Sequence, residues 1–108
     1  MDESLKNKVA FITGAATGIG KETALLLAKN GVKIMIADIN EVEGRVTTKT
    51  ITDSGGVACF YKLDTSIKKD VANVLDSIFK EYGSIDLAVN NAGIGGLVGS
   101  LHTIEKST

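Results

Sequence analysis

Three glycines in the run Thr13-Gly14-Ala15-Ala16-Thr17-Gly18-Ile19-Gly20, spaced G-x-x-x-G-x-G, constrain this chain more than any other feature. They stand between a short apolar run at 9–12 and a stretch rich in Ala, Leu, Lys and Glu that continues to Asn30. Glycines at such a junction permit backbone angles that side chains disfavour, so the chain can turn sharply from a buried strand into a helix. The helix then aims its orphan N–H groups and the positive end of its dipole into the turn. A pyrophosphate suits that position. Taken alone, the cluster is equally compatible with an ordinary surface loop.

The surrounding pattern narrows the choice. Continuous apolar runs at 9–12, 34–37, 57–61 and 85–89, the last interrupted by Asp86, suit parallel strands covered on both faces. Helical patterns lie between them. Residues 18–30 are strong helix formers, and Gly31 supplies a stop. Over 67–82, Ile67, Val71, Val74, Leu75, Ile78 and Tyr82 form the stripe of a surface helix that Gly83 ends. The segment 41–54 is weaker. Asn40 and Glu43 resemble a capping pair, but Gly44 and threonines 47, 48, 50 and 52 lower helix propensity. Its place in the alternation demands a helix. The order strand–helix–strand–helix–strand–helix–strand implies an α/β fold with right-handed crossovers and a parallel sheet. After Val89 the pattern dissolves into a glycine-rich stretch and a polar tail, and no repeat or domain boundary is evident.

Composition limits the partners. The 108 residues suit one domain, and a net charge of −1 without any block of like charge makes neither nucleic acid nor an anionic membrane an expected partner. No apolar stretch approaches the ~20 residues of a membrane span. The polar, mixed-charge start resembles neither a signal nor a transit peptide. A cytoplasmic protein is the expectation. Cys59 is the only cysteine, so an internal disulfide and a Cys-based zinc site are ruled out, and its apolar run marks it as a small hydrophobe. His102, the only histidine, lies among polar residues. No metal site is expected.

Asp38 raises the glycine turn above a loop. It closes the second strand 18 positions after Gly20, where a dinucleotide fingerprint places the acidic residue that holds the ribose hydroxyls. Gly14 would then allow the tight turn, Gly18 a close approach to pyrophosphate, and Gly20 close packing of helix on sheet. A P-loop is rejected, because Glu22 replaces the magnesium-binding Ser/Thr after Gly20-Lys21 and Ala15 stands where the first glycine belongs. A domain binding S-adenosylmethionine remains an alternative on this local pattern.

Four separated pieces resemble the short-chain dehydrogenase/reductase family: Thr13 to Gly20, Asp38, Leu63-Asp64-Thr65 and Asn90-Asn91-Ala92-Gly93. They match T-G-x-x-x-G-I-G, the acidic end of the second strand, a D-[VL]-[TS] step and N-N-A-G, in order and spacing over 9–93. Within the family, the first ninety residues look like the plant branch containing secoisolariciresinol dehydrogenase. The resemblance implies the N-terminal part of a Rossmann fold, with a four-stranded parallel sheet in order 3-2-1-4 and three crossover helices. It also implies roles. Gly14, Thr17, Gly18, Ile19 and Gly20 would hold the pyrophosphate turn. Asp38 would bind the adenosine ribose, Asp64 and Thr65 the adenine, and Asn91, Ala92 and Gly93 the ribose side, while Asn90 would tie the central strands. Asp64 before Thr65-Ser66 could instead simply start a helix, and Asn90-Asn91 could be ordinary turn residues.

The implied cofactor is NAD rather than NADP, since Asp38 would repel the extra phosphate and neither Thr17 nor Ile39 is basic. The family's chemistry needs a Ser and a Y-x-x-x-K pair. Tyr61 and Tyr82 are followed four residues later by Thr65 and Asp86, so no catalytic residue can be assigned. The resemblance therefore implies a truncated NAD(P)-binding domain over 1–108, inactive alone, within an alcohol/carbonyl oxidoreductase. The alternative is a non-catalytic NAD-binding or subunit-interaction module. An uncovered sheet face and an unpaired edge on the fourth strand would favour association with itself or with full-length relatives.

Overall fold

A computed structural model of the chain describes residues 3–91 and 101–104, the last four by their backbone pairing alone. A short 3-10 turn, Glu3–Leu5, precedes the strands and helices β1 (Val9–Thr13), α1 (Gly18–Lys29), β2 (Lys33–Asp38), α2 (Glu41–Asp53), β3 (Ala58–Lys62), α3 (Lys68–Tyr82), β4 (Ile85–Asn90) and β5 (Leu101–Ile104). The sheet order is β3-β2-β1-β4-β5. The first four strands are parallel, as the alternation requires. No helix of the described residues is long and apolar enough to cross a membrane.

The β5 strand corrects the expectation of an unpaired edge on the fourth strand. It runs antiparallel to β4, with Val89 opposite Leu101 and Ile85 opposite Ile104. Ten residues separate the two strands (91–100), and a parallel neighbour would need a crossover of about a dozen or more. The polar surroundings hid a four-residue strand too short to show a period.

Alternation along the buried strands builds two cores. Ala10, Ile12, Ile34 and Ile36 face α1 and α2, joined by Ala24 and Ile51. Val9, Phe11, Met35 and Ala37 face α3 and meet Ile78. Ile12, Ile34 and Ile36 are each fully buried, worth about 2 kcal/mol apiece in apolar transfer. The α3 stripe behaves as its spacing predicts: Val71, Val74, Leu75 and Tyr82 pack on the second core. Ile67 does not join it. It is the N-cap of α3, before the first turn, and stays exposed. Gly83 ends the helix in the left-handed conformation at φ 84°.

The second helix shows why its sequence reads poorly. Gly44, Thr47 and Ile51 are its buried residues. A Cβ on Gly44 would lie 2.1 Å from the Phe60 ring, so any side chain there would have to displace that ring. Thr48 and Thr50 donate to the carbonyls of Gly44 and Val46, both at 2.9 Å, which satisfies their hydroxyls without unwinding the helix. The Asn40 side chain accepts from Glu43 N at 3.1 Å as an N-cap, and Arg45–Glu41 and Lys49–Asp53 pairs add modest support. Asp86, the polar interruption of the fourth apolar run, accepts from Val9 N at 2.8 Å and so ties the starts of β1 and β4.

Candidate functional site

The C-terminal ends of β1, β2 and β4 lie side by side, with Thr13 opposite both Ala37 and Asn90. This is the point where the chain order reverses, since β2 leaves β1 on one side and β4 on the other. Crevices at such points are the usual ligand sites of open α/β sheets. A cleft of about 460 Å³ opens here.

The floor of the cleft is the glycine turn. Gly14 and Gly18 adopt φ 67° and 62°, and Gly14 N donates to Ala37 O at 3.0 Å. Thr17, the N-cap of α1, makes no side-chain cap, and the first turn of α1 contains no acidic residue. The N–H groups of that turn are therefore left uncapped by side chains of their own helix. Gly18 and Gly20 do different work. A Cβ on Gly20 would stand 2.0 Å from Gly14 O, so Gly20 is required for helix-to-strand contact. A Cβ on Gly18 would meet nothing within 4 Å, so the space in front of it is open.

Asp38 forms one wall. Its Oδ2 accepts from Ala16 N at 3.1 Å and its Oδ1 from Asn40 N at 2.9 Å. The carboxylate is thus fixed by the turn on one side and by the start of α2 on the other. Two of its roughly four acceptor positions remain. The step Leu63-Asp64-Thr65 follows β3. Leu63 N donates to Asp38 O at 3.1 Å, which sets the two strand ends together. Asp64 is partly exposed and accepts from Ser66 Oγ at 2.6 Å and Ser66 N at 2.9 Å. The Ser66 hydroxyl, then its N–H, hold the Asp64 carboxyl below the usual carboxylate range. This is an Asx turn ahead of α3, whose N-cap is Ile67, so Asp64 does not itself start the helix, and it lines the cleft.

The third wall comes from β4. Thr13 Oγ1 donates to Asn90 Oδ1 at 2.9 Å, and Asn91 N donates to Thr13 O at 3.1 Å. These bonds tie the two central strands at the mouth. Asn91 Nδ2 is buried and has no hydrogen-bond partner among the described residues. A buried amide donor left without an acceptor costs about 1–3 kcal/mol.

Gly14, Thr17, Ile19, Gly20, Asp38, Asp64, Thr65 and Asn91 all line this one cleft. Gly18, between Thr17 and Ile19 in the chain, is not among the lining residues, and Ala92 and Gly93 lie outside the described residues. The apolar Ile39 and Leu63 also line it, and Ile39 is exposed. Thr47, whose fully buried hydroxyl reaches Ala16 O, carries no mark in the sequence: nothing in the pattern of α2 distinguishes it from the other threonines. A wider hollow of about 870 Å³ lies at the opposite end of the sheet, lined by Lys6, Leu25, Leu26, Lys29 and Val57. It contains no orphaned polar atom among the described residues and no helix N-terminus.

The family model described as short chain dehydrogenase matches residues 8–108. The chain belongs to the short chain dehydrogenase family. It is 44% identical over 106 residues to tropinone reductase-like 1 of Erythroxylum coca, covering 95% of this chain and 38% of that protein. It is 42% identical over 105 residues to cyclohexanol dehydrogenase of Acinetobacter sp. strain SE19, covering 97% and 42%. The short chain dehydrogenase fold is also plain in solved structures. NAD+-bound xylitol dehydrogenase superposes with TM-score 0.80 at 33% identity, over 85% of this chain and 35% of that one. A metagenomic short-chain oxidoreductase in complex with NADP superposes with TM-score 0.81 at 31% identity, over 86% and 42%. The chain thus spans about two fifths of the length of these short chain dehydrogenase relatives and corresponds to their N-terminal region. Membership replaces the S-adenosylmethionine alternative. A plant and a bacterial relative side by side do not single out the plant branch.

Proposed function

We propose that this chain is the nicotinamide-dinucleotide-binding part of a short chain dehydrogenase that interconverts alcohols and carbonyls, and that it prefers NAD to NADP. The observation that carries the reading is the convergence, in one cleft, of an uncapped helix N-terminus beside an open glycine, a fixed carboxylate and a buried amide with no partner among the described residues. These groups fit the ligand. The N–H groups of Thr17, Gly18 and Ile19 suit a pyrophosphate. Asp38 accepts from ribose hydroxyls with its remaining lone pairs. Asn91 Nδ2 donates to an oxygen of the bound molecule, which removes its desolvation cost. Ile39 and Leu63 offer apolar surface to the adenine, and Asp64 an acceptor for its amino group. When bound, the nicotinamide supplies hydride transfer.

The preference for NAD rests on Asp38 and on where the cations are. A carboxylate has no donor for a ribose phosphate and repels it. Arg45, the sole arginine of the sequence, is held by Glu41 at 3.0 Å and lies over the Phe60 ring at 5.4 Å. Lys62 is drawn toward the same Glu41, at 3.9 Å. Neither cation lines the cleft.

The chain binds and does not turn over. Its tyrosines are on the other side of the chemistry. Tyr82 Oη pairs with Cys59 Sγ at 3.4 Å, and that contact, then burial, push its pKa upward; burial, then Cys59, does the same to Tyr61. A proton-transferring tyrosine needs the opposite shift. Calorimetric titration of this chain with NAD and NADP tests the proposal. Measurable NAD binding that exceeds NADP binding is expected, with no alcohol oxidation. NADP binding as tight as NAD breaks the preference, and binding of neither breaks the assignment of the cleft.

A further inference from the structure

The Ala16 backbone, in the middle of the glycine turn, is gripped from both sides. Its N–H donates to Asp38 Oδ2 at 3.1 Å, and its carbonyl accepts from Thr47 Oγ1 of α2 at 3.3 Å, across 31 residues of sequence. Thr47 is fully buried. Its hydroxyl also points at the carbonyl of Glu43, four residues earlier, at 3.2 Å. Thr48 and Thr50 make that same intrahelical bond at 2.9 Å. At Thr47 the single hydroxyl proton has two acceptors within reach, Glu43 O and Ala16 O. A helix threonine satisfied by its own helix would have no reason to lean outward.

The geometry of the peptide gives this contact a consequence. In a trans peptide the C=O and the following N–H point in opposite directions. Holding Ala16 O toward the buried Thr47 therefore turns Thr17 N–H away from α2, and Thr17 lines the cleft. We infer that Thr47 is a positioning residue for anion recognition: its hydroxyl fixes the Ala16–Thr17 peptide so that Thr17 N–H is presented to the pyrophosphate. The inference rests on the reading of the cleft as a dinucleotide site. Asp38 fixes the preceding peptide and Thr47 this one, so the ribose wall and the phosphate floor are held by the same short stretch of α2 and its approach. Thr47, which does not line the cleft, thereby sets the direction of a residue that does.

The test compares wild type with Thr47→Val, which keeps the shape and removes the hydroxyl, using NAD, ADP and adenosine as ligands of the whole chain. NAD and ADP affinity should fall roughly two- to fivefold, the scale of one lost neutral hydrogen bond, while adenosine affinity stays the same. Thr47→Ser should restore NAD and ADP binding relative to Thr47→Ala. That second pair repeats the comparison at equal size should the valine variant fail to fold. A purely structural role would lower all three ligands together, and that outcome, or no change in any, overturns the inference. The Thr17 amide resonance in the ligand-free chain separates this inference from the one beneath it. Loss of the hydroxyl should shift it, because Thr17 N–H belongs to the peptide whose carbonyl Thr47 holds. If the wild type binds none of the ligands, the dinucleotide reading falls and the positioning role with it. If it binds NAD but the Thr17 amide resonance is the same with and without the hydroxyl, the Thr47 clamp alone falls.

Discussion

The crossovers β1–α1 and β2–α2 cover the same face of the sheet, yet their residues answer to different neighbours. In the first, Gly14 and Gly18 serve the backbone turn and the open space before it, and α1 behind them is made of ordinary helix formers. In the second, Asp38 and Asn40 fix the exit from the strand, and α2 turns two poor helix formers inward. Gly44 admits Phe60, and Thr47 grips Ala16. The first crossover is shaped for what comes to it from solvent. The second is shaped to hold the first in place. A glycine or a threonine can thus be unfavourable for its own helix and favourable for the assembly, because the cost is local, about 1 kcal/mol, and the gain comes from a contact elsewhere.

The sharpest way to break this contrast is at the two glycines of α1. Gly20→Ala puts a methyl against the Gly14 carbonyl, a backbone atom that cannot swing aside. We expect a loss of about 2–3 kcal/mol, read as a lower urea midpoint at unchanged slope. A midpoint like that of the wild type would mean that α1 does not need its close approach to β1. Gly18→Ala should do the reverse. The positive φ costs it about 1 kcal/mol of stability, but the added methyl projects into the open space before the helix. NAD affinity should fall tenfold or more, and a variant that binds NAD normally would show that the ligand does not approach there.

A smaller effect is expected at Asp64. Ser66 holds its carboxyl at a pKa below the ordinary value of 3.8. A depressed folded-state pKa contributes stability that is present above about pH 4 and is lost as the pH falls through the folded value. The bonds to Ser66 are solvent-exposed, so the contribution is slight. Asp64→Asn should keep the turn at neutral pH and flatten the acid limb of stability between about pH 5 and pH 2. An unchanged acid limb would mean that the Ser66 contacts do not persist in solution.

Much of this was legible in the residues. The turn from Thr13 to Gly20 marked both the switch from strand to helix and the place of the cleft, since glycine spacing acts within a few residues. Asp38 stood at the end of its strand for anyone counting. The stripe from Val71 to Tyr82 gave α3 and its buried face. Other features were not legible. The β5 strand has four residues amid polar neighbours, and pairing with β4 rather than any pattern of its own defines it. The bond from Thr13 to Asn90 spans 77 residues, and that from Thr47 to Ala16 spans 31.

By itself, then, the sequence determined the alternation of strands and helices, the two faces of the sheet, the family and the location of the cleft. All of these follow from spacing along the chain, which obeys the periods of strand and helix. Only the tertiary structure decided that β4 is covered on its edge, that Gly44 makes room for Phe60, that Asn91 brings to the cleft a donor unanswered among the described residues and that Thr47 reaches Ala16 O. Those depend on which distant residues become neighbours, and a buried polar group is defined by the partner that it finds or lacks.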